Sequence, residues 1–187
     1  MKKQIEDKHL LSRRGFLGTL VGVSGGLVMP GAFAAPASPV DRVLSFYNTH
    51  TGEKLTSTYF SEGQYHLESL KEIGWLLRDH RADEAHAMDP KLLDMLHSLK
   101  SCMGKQDCAF HIISGYRSPQ TNAKLRRNSN GVAKKSYHMK GQAIDIRMPG
   151  QDIAQVRRAA MSLKAGGVGY YPKSNFSHLD TGRPRAW

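Results

Sequence analysis

Ser136-Tyr137-His138-Met139-Lys140-Gly141-Gln142-Ala143-Ile144-Asp145 joins a loop histidine to an aspartate that sits in a run of alternating apolar residues, Ala143 to Met148, which predicts a strand. A loop histidine can fold back beside a strand carboxylate, and imidazole nitrogen and carboxylate oxygen are both good Zn²⁺ ligands. Downstream, Phe176-Ser177-His178-Leu179-Asp180 predicts a second strand. Side chains alternate along a strand, so His178 and Asp180 share one face. His178 is the candidate third ligand, and three protein ligands leave one tetrahedral position for water. Upstream, Ser114-Gly115-Tyr116-Arg117-Ser118 reads as a strand end that turns sharply and presents an arginine, whose planar fork suits a substrate carboxylate or a developing oxyanion. Plainer readings stand beside these: a locally satisfied histidine at 178, a strand-end cap at Asp180, and a structural ion pair at Arg117.

Around these motifs the chain alternates strands and helices without repeats. Val43 to Tyr47 and Lys54 to Phe60 are β-prone runs whose Asn48–Gly52 connection predicts a hairpin. Apolar spacing through Leu70, Ile73, Leu76 and Leu77 predicts a helix over 66–80. Asp89 before Pro90 predicts an N-cap for a second helix with Leu92, Leu93, Leu96 and Leu99 on its buried face. Phe110 to Ser114 reads as a strand, Ser118-Pro119 as a helix start and Gln151 to Lys164 as a helix, while Tyr170-Tyr171 supplies a short strand. The run Gly166-Gly167-Val168-Gly169 predicts a tight turn or a close backbone approach. Mixed order without a regular βαβ period predicts an α+β fold, with a small central antiparallel sheet and flanking helices.

The chain has 187 residues, with 27 Lys and Arg against 16 Asp and Glu. One domain of 35–187 is expected, following an export signal over 1–34. That signal has a basic start, Arg13-Arg14-Gly15-Phe16-Leu17, an uncharged run from Gly18 to Met29 and a small-x-small cleavage site at Ala32-Phe33-Ala34. The paired arginines resemble a twin-arginine signal, and the periplasm is the implied compartment. No transmembrane segment is expected after cleavage. The segment 35–187 keeps a net charge of +8, so its partners are expected to be anionic. Nucleic acid rests on charge alone and conflicts with export. With two cysteines a cysteine-ligated zinc site is excluded, and a local Cys102–Cys108 bridge is slightly favoured over free thiols.

Taken together, Ser114-Gly-Tyr-Arg117-Ser, Ser136-x-His138-x-x-Gly141-x-Ala143-x-Asp145 and His178-x-Asp180 resemble the zinc D-Ala-D-Ala peptidases, a grouping that includes vancomycin-resistance dipeptidases, phage endolysins and the hedgehog amino-terminal domain. The resemblance implies a zinc held by His138, Asp145 and His178 that activates water for hydrolysis of peptidoglycan cross-links, the 3-3 linkage in preference to the 4-3. It also implies that Arg117 holds the carbonyl oxygen or a substrate carboxylate and that Ser136 hydrogen-bonds the substrate. Many relatives carry a catalytic glutamate three residues before the last histidine, where this chain has Asn175. Asp180 is the expected general base, with orientation of a ligand as its rival role. A zinc-stabilised murein-binding or regulatory module without turnover is the alternative.

Overall fold

A computed structural model describes residues 40–129 and 131–187. The expected export signal over 1–34 lies outside the described residues. Among them, no helix is long and apolar enough to cross a membrane.

The fold is α+β. Its strands are β1 (Arg42–Asn48), β2 (Lys54–Ser61), β3 (Gln64–Tyr65), β4 (Ala109–Ser114), β5 (Ala143–Arg147), β6 (Gly167–Tyr171), β7 (Phe176–Asp180) and β8 (Arg185–Ala186). They form one sheet in the order β3-β2-β1-β4-β5-β7-β6-β8. That sheet is larger than the small antiparallel one expected, and β1–β4 and β6–β8 run parallel. The helices are α1 (Leu67–Leu76), α2 (Pro90–Cys102), α3 (Pro119–Asn128) and α4 (Ile153–Ser162).

Each helix start follows from its capping residue. Asp89 accepts from the Lys91 N–H, Ser118 from the Thr121 N–H and Asp152 from the Ala154 and Gln155 N–H groups, satisfying donors that a helix leaves free. The expected α2 face is buried as read: Leu92, Leu93, Leu96 and Leu99 pack with Leu44, Phe46, Phe110 and Ile112 of the sheet. Burying one such side chain stabilises by about 1.5–3 kcal/mol, and Leu96→Ala would remove about 2–5 kcal/mol. Buried Asn48 holds the β1–β2 turn, accepting from the His50 and Thr51 N–H groups and donating to the Leu76 carbonyl.

One expectation is corrected. Cys102 and Cys108 are free; Cys102 ends α2 at the surface, and the Cys108 thiol is directed at the Ala109 carbonyl 3.6 Å away. Of the two readings of the glycine run, the structure shows the close approach: Gly167 to Gly169 lie in β6, which pairs with β7 on one side and β8 on the other. The close approach is present: a Cβ on Gly167 would collide with Arg185 and Asp180, and one on Gly169 with Trp187.

Candidate metal centre

Register brings the site together. Asp145 of β5 pairs with His178 of β7, which pairs with Gly169 of β6; two residues along, Ala143, Asp180 and Gly167 form the next row on the same face. Asp145, His178 and Asp180 therefore project from one face. A register shift between Ile112 and Ser114 brings Ser114 of β4 opposite Asp145, re-aiming the strand end that leads to Arg117.

His138 arrives from a short 3-10 turn, Tyr137–Lys140, capped by the Ser136 hydroxyl oxygen, which accepts from the His138 N–H at 3.3 Å. Gly141 ends that turn at φ +65, where a Cβ would run into the Ala87 carbonyl. The loop after β4 is fixed by buried Asp79, which accepts from the Ser118 N–H at 2.9 Å. Its Gly115 lies so near Leu77 that no side chain fits.

Three ligand atoms converge. His138 Nε2 lies 3.2 Å from His178 Nδ1 and 3.4 Å from Asp145 Oδ1, and His178 Nδ1 lies 2.8 Å from that same oxygen. A tetrahedral zinc with bonds near 2.0–2.2 Å sets neighbouring ligand atoms about 3.3 Å apart. Two of the three spacings match it and the third needs a small opening. The remaining ring nitrogens are held from behind: His138 Nδ1 is 2.7 Å from the Gly115 carbonyl, and His178 Nε2 is 3.0 Å from Asp180 Oδ2. A carbonyl and a carboxylate can only accept, so protons on those nitrogens leave the two converging nitrogens with free lone pairs. Two imidazoles and one carboxylate, all aimed inward, fit zinc.

The electrostatics agree with a cation at the centre. Burial pushes the Asp145 carboxyl up, but His138 and His178 outweigh it and hold it well below the usual carboxylate range. Burial pulls His178 down, and Asp145 and Asp180 overcome it, lifting the imidazole to about 9. The same field favours a divalent ion, which would take the place of the Nδ1 proton between the three ligand atoms.

Asp180 is completely buried. Its Oδ2 meets His178 and Arg185 Nη2, and its Oδ1 accepts from the Gly182 N–H and Arg185 Nη1. Against burial, His178, Arg185 and the Gly182 N–H hold its carboxyl well below the usual range. It stands on the far side of the His178 ring from Asp145, behind the ligand atoms. The expectation of a general base at Asp180 thus meets a carboxylate whose two oxygens are already engaged. Asn175 does not fill the vacant role: it is exposed, and it lines a separate cavity with Arg147 and Gln151.

Arg117 borders the ligand cluster, with Nη2 at 3.9 Å from Asp145 Oδ2 and 3.3 Å from the Ser114 hydroxyl. Its Nε is buried without a partner, and burial lowers its pKa against the pull of Asp145. The cleft over the cluster measures about 360 Å³, and Arg117, Ser136, His138, Asp145 and His178 all line it. The sequence reading missed its opposite wall. Tyr171 stacks on Phe176 at 4.5 Å, Trp187 Nε1 donates to the Tyr171 hydroxyl at 3.0 Å, and the Trp187 ring lies 5.4 Å from that of His178. Arg185 was missed as well. The pairing of β6 with β7 sets Tyr171 opposite Phe176, whereas Arg185 and Trp187 come in only through the parallel pairing of β8 with β6, which no local pattern signals.

Comparison with known proteins adds an independent line. The profile of the family Peptidase_M15_2, described as "Peptidoglycan L,D-endopeptidase MepK", matches residues 36–187. The chain is 45% identical to the peptidoglycan L,D-endopeptidase MepK of Escherichia coli strain K12 over 183 residues, covering 97% of this chain and all of the relative. It is 42% identical to the probable peptidoglycan L,D-endopeptidase MepK of Haemophilus influenzae over 171 residues, covering 90% of this chain and 92% of the relative.

Proposed function

The chain belongs to the Peptidase_M15_2 family of metallopeptidases, and on that premise we propose that it hydrolyses the peptide cross-links of murein with a zinc held by His138 Nε2, Asp145 Oδ1 and His178 Nδ1. The observation that carries this reading is the convergence of those three atoms at the floor of the cleft. When bound, zinc supplies Lewis acidity toward the scissile carbonyl and brings the pKa of a water toward ~7.

The protein's own residues hold the reacting groups. Gly115 and Asp180 fix the proton on the outer nitrogen of each imidazole, so that neither ring can turn away from the cleft. Arg117 keeps a guanidinium N–H unpaired in a buried setting, which supports a role in receiving the scissile carbonyl oxygen or a substrate carboxylate. The Ser136 hydroxyl oxygen accepts from the His138 N–H, leaving its own proton free to donate to the substrate. Asp180 serves as the orienter of His178, and its bonds to Arg185 and the Gly182 N–H support that role over proton transfer.

The name L,D-endopeptidase carried by the relatives supports the 3-3 linkage between two diaminopimelate residues over the 4-3 linkage. A periplasmic site of action accords with that substrate. The reading of a murein-binding module without turnover gives way, since the family is one of peptidases. Incubation of purified sacculi with the protein tests the proposal: cross-linked dimers fall with zinc and persist with chelator. Dimers that persist while zinc is shown to be bound would refute it.

A further inference from the structure

Charge is divided across this sheet. Residues 40–107 carry eight Lys and Arg against eleven Asp and Glu, a balance of −3, whereas residues 108–187 carry fourteen against three, a balance of +11. The first segment forms β1 to β3 with α1 and α2, and the second forms β4 to β8 with α3 and α4. Because the strand order is β3-β2-β1-β4-β5-β7-β6-β8, the division in sequence is also a division in space, with one lateral half of the sheet acidic and the other basic.

The metal cleft lies wholly in the basic half. There, Asp145 and Asp180 are buried in the ligand cluster, and Asp152 is occupied in capping α4. No acidic residue occurs from 108 to 144, a stretch with seven Lys and Arg that forms the Arg117 loop, α3 and the 131–136 cleft wall. Lys124, Arg126, Arg127, Lys134 and Lys135 are all exposed. Among the described residues, none of these five has an acidic side chain within ion-pair distance. Arg126 and Arg127 sit favourably in the last turn of α3, where the helix dipole welcomes a cation. That accounts for two of the cations and leaves Lys124, Lys134 and Lys135 unexplained.

Resting on the murein reading, we propose that this basic half is a docking surface for the wall polymer itself, in which the cations of α3 and the 131–135 segment hold free carboxylates of stem peptides flanking the cross-link in the cleft. A field of one sign around a low-dielectric cleft concentrates an oppositely charged partner and speeds its encounter. Rim charges of this kind act chiefly on association and on its salt dependence. The acidic half points the polymer away from the face that has no catalytic group.

The test is co-sedimentation with purified sacculi on ice, over a range of salt. One variant combines Lys124→Gln, Arg126→Gln, Arg127→Gln and Lys134→Gln; a control combines Lys54→Gln, Arg81→Gln, Lys91→Gln and Lys105→Gln in the other half. Both lose four positive charges at exposed positions, and unchanged metal content shows that each is folded. The expected result is a loss of affinity of about tenfold or more at low salt for the first variant, little change for the control, and loss of binding to sacculi whose carboxylates have been amidated. Equal losses in both variants, undiminished binding to amidated sacculi, or stronger binding to phosphatidylglycerol vesicles than to sacculi would each overturn it. Binding that behaves as expected without any cleavage would strike the hydrolytic reading and leave this one standing. Cleavage of soluble muropeptides with charge-insensitive sacculus binding would do the reverse.

Discussion

Asp180 Oδ2 lies 3.0 Å from Nε2 of His178, across the ring from the nitrogen that meets Asp145, and Arg185 closes on both oxygens of Asp180 from behind. A carboxylate so placed sets the tautomer and angle of the imidazole. Asp180→Asn is expected to weaken zinc binding by roughly 10–100-fold, with activity returning at high zinc. Turnover against free zinc checks this. Undiminished zinc affinity with turnover down by ~10²–10⁴-fold would mark a general base instead.

His138→Ala, Asp145→Ala and His178→Ala should each lose zinc and activity together, because three protein ligands are the usual complement of a catalytic zinc. Elemental analysis of each purified variant decides it. A stoichiometric ion in any one of the three removes that residue from the ligand set.

Gly167 leaves the space that the Asp180–Arg185 pair occupies. Gly167→Ala drives a methyl into that pair, and overpacking of this kind costs about 1–3 kcal/mol. Chemical denaturation should show the loss, and zinc affinity should fall with it as Asp180 shifts. Gly150→Ala is the comparison: its φ is +71 but no atom lies within 4 Å, so it meets backbone strain without a collision and should leave zinc affinity alone.

Far from the cleft, Asp94 takes hydrogen bonds from Arg42, Tyr59 and Tyr65. Burial raises its pKa, yet these three bonds outweigh it and hold the folded value below the ordinary one. A depressed carboxylate adds stability that is complete above its unfolded pKa, near ~3.9, and is lost as pH falls through the folded value. Urea unfolding from neutral pH down through that window should show a steeper acid loss for the parent than for Asp94→Asn. Parallel curves would contradict the assignment.

Much of the fold was legible because its signals are local. Asp89-Pro90 and Ser118-Pro119 mark helix starts by capping chemistry, and the Leu92-Leu93-Leu96-Leu99 face follows from helical period. The grouping of His138, Asp145 and His178 was legible from motif order, and the shared face of His178 and Asp180 from strand alternation. The full set of partners around Asp180 was not, since Arg185 reaches it only through the pairing of β8 with β6. The same non-local pairing places Trp187 against His178. The glycine run left a turn and a close approach open for a related reason: glycine permits both, and only the neighbours Asp180, Arg185 and Trp187 decide between them.

A zinc peptidase whose cleft accepts a murein cross-link should cut purified muropeptide dimers of defined linkage, read by mass analysis after digestion with the zinc-loaded protein. The expected result is conversion of the 3-3 dimer to monomers, slower conversion of the 4-3 dimer, and neither when chelator is present. Both dimers left intact by protein shown to hold stoichiometric zinc would contradict it.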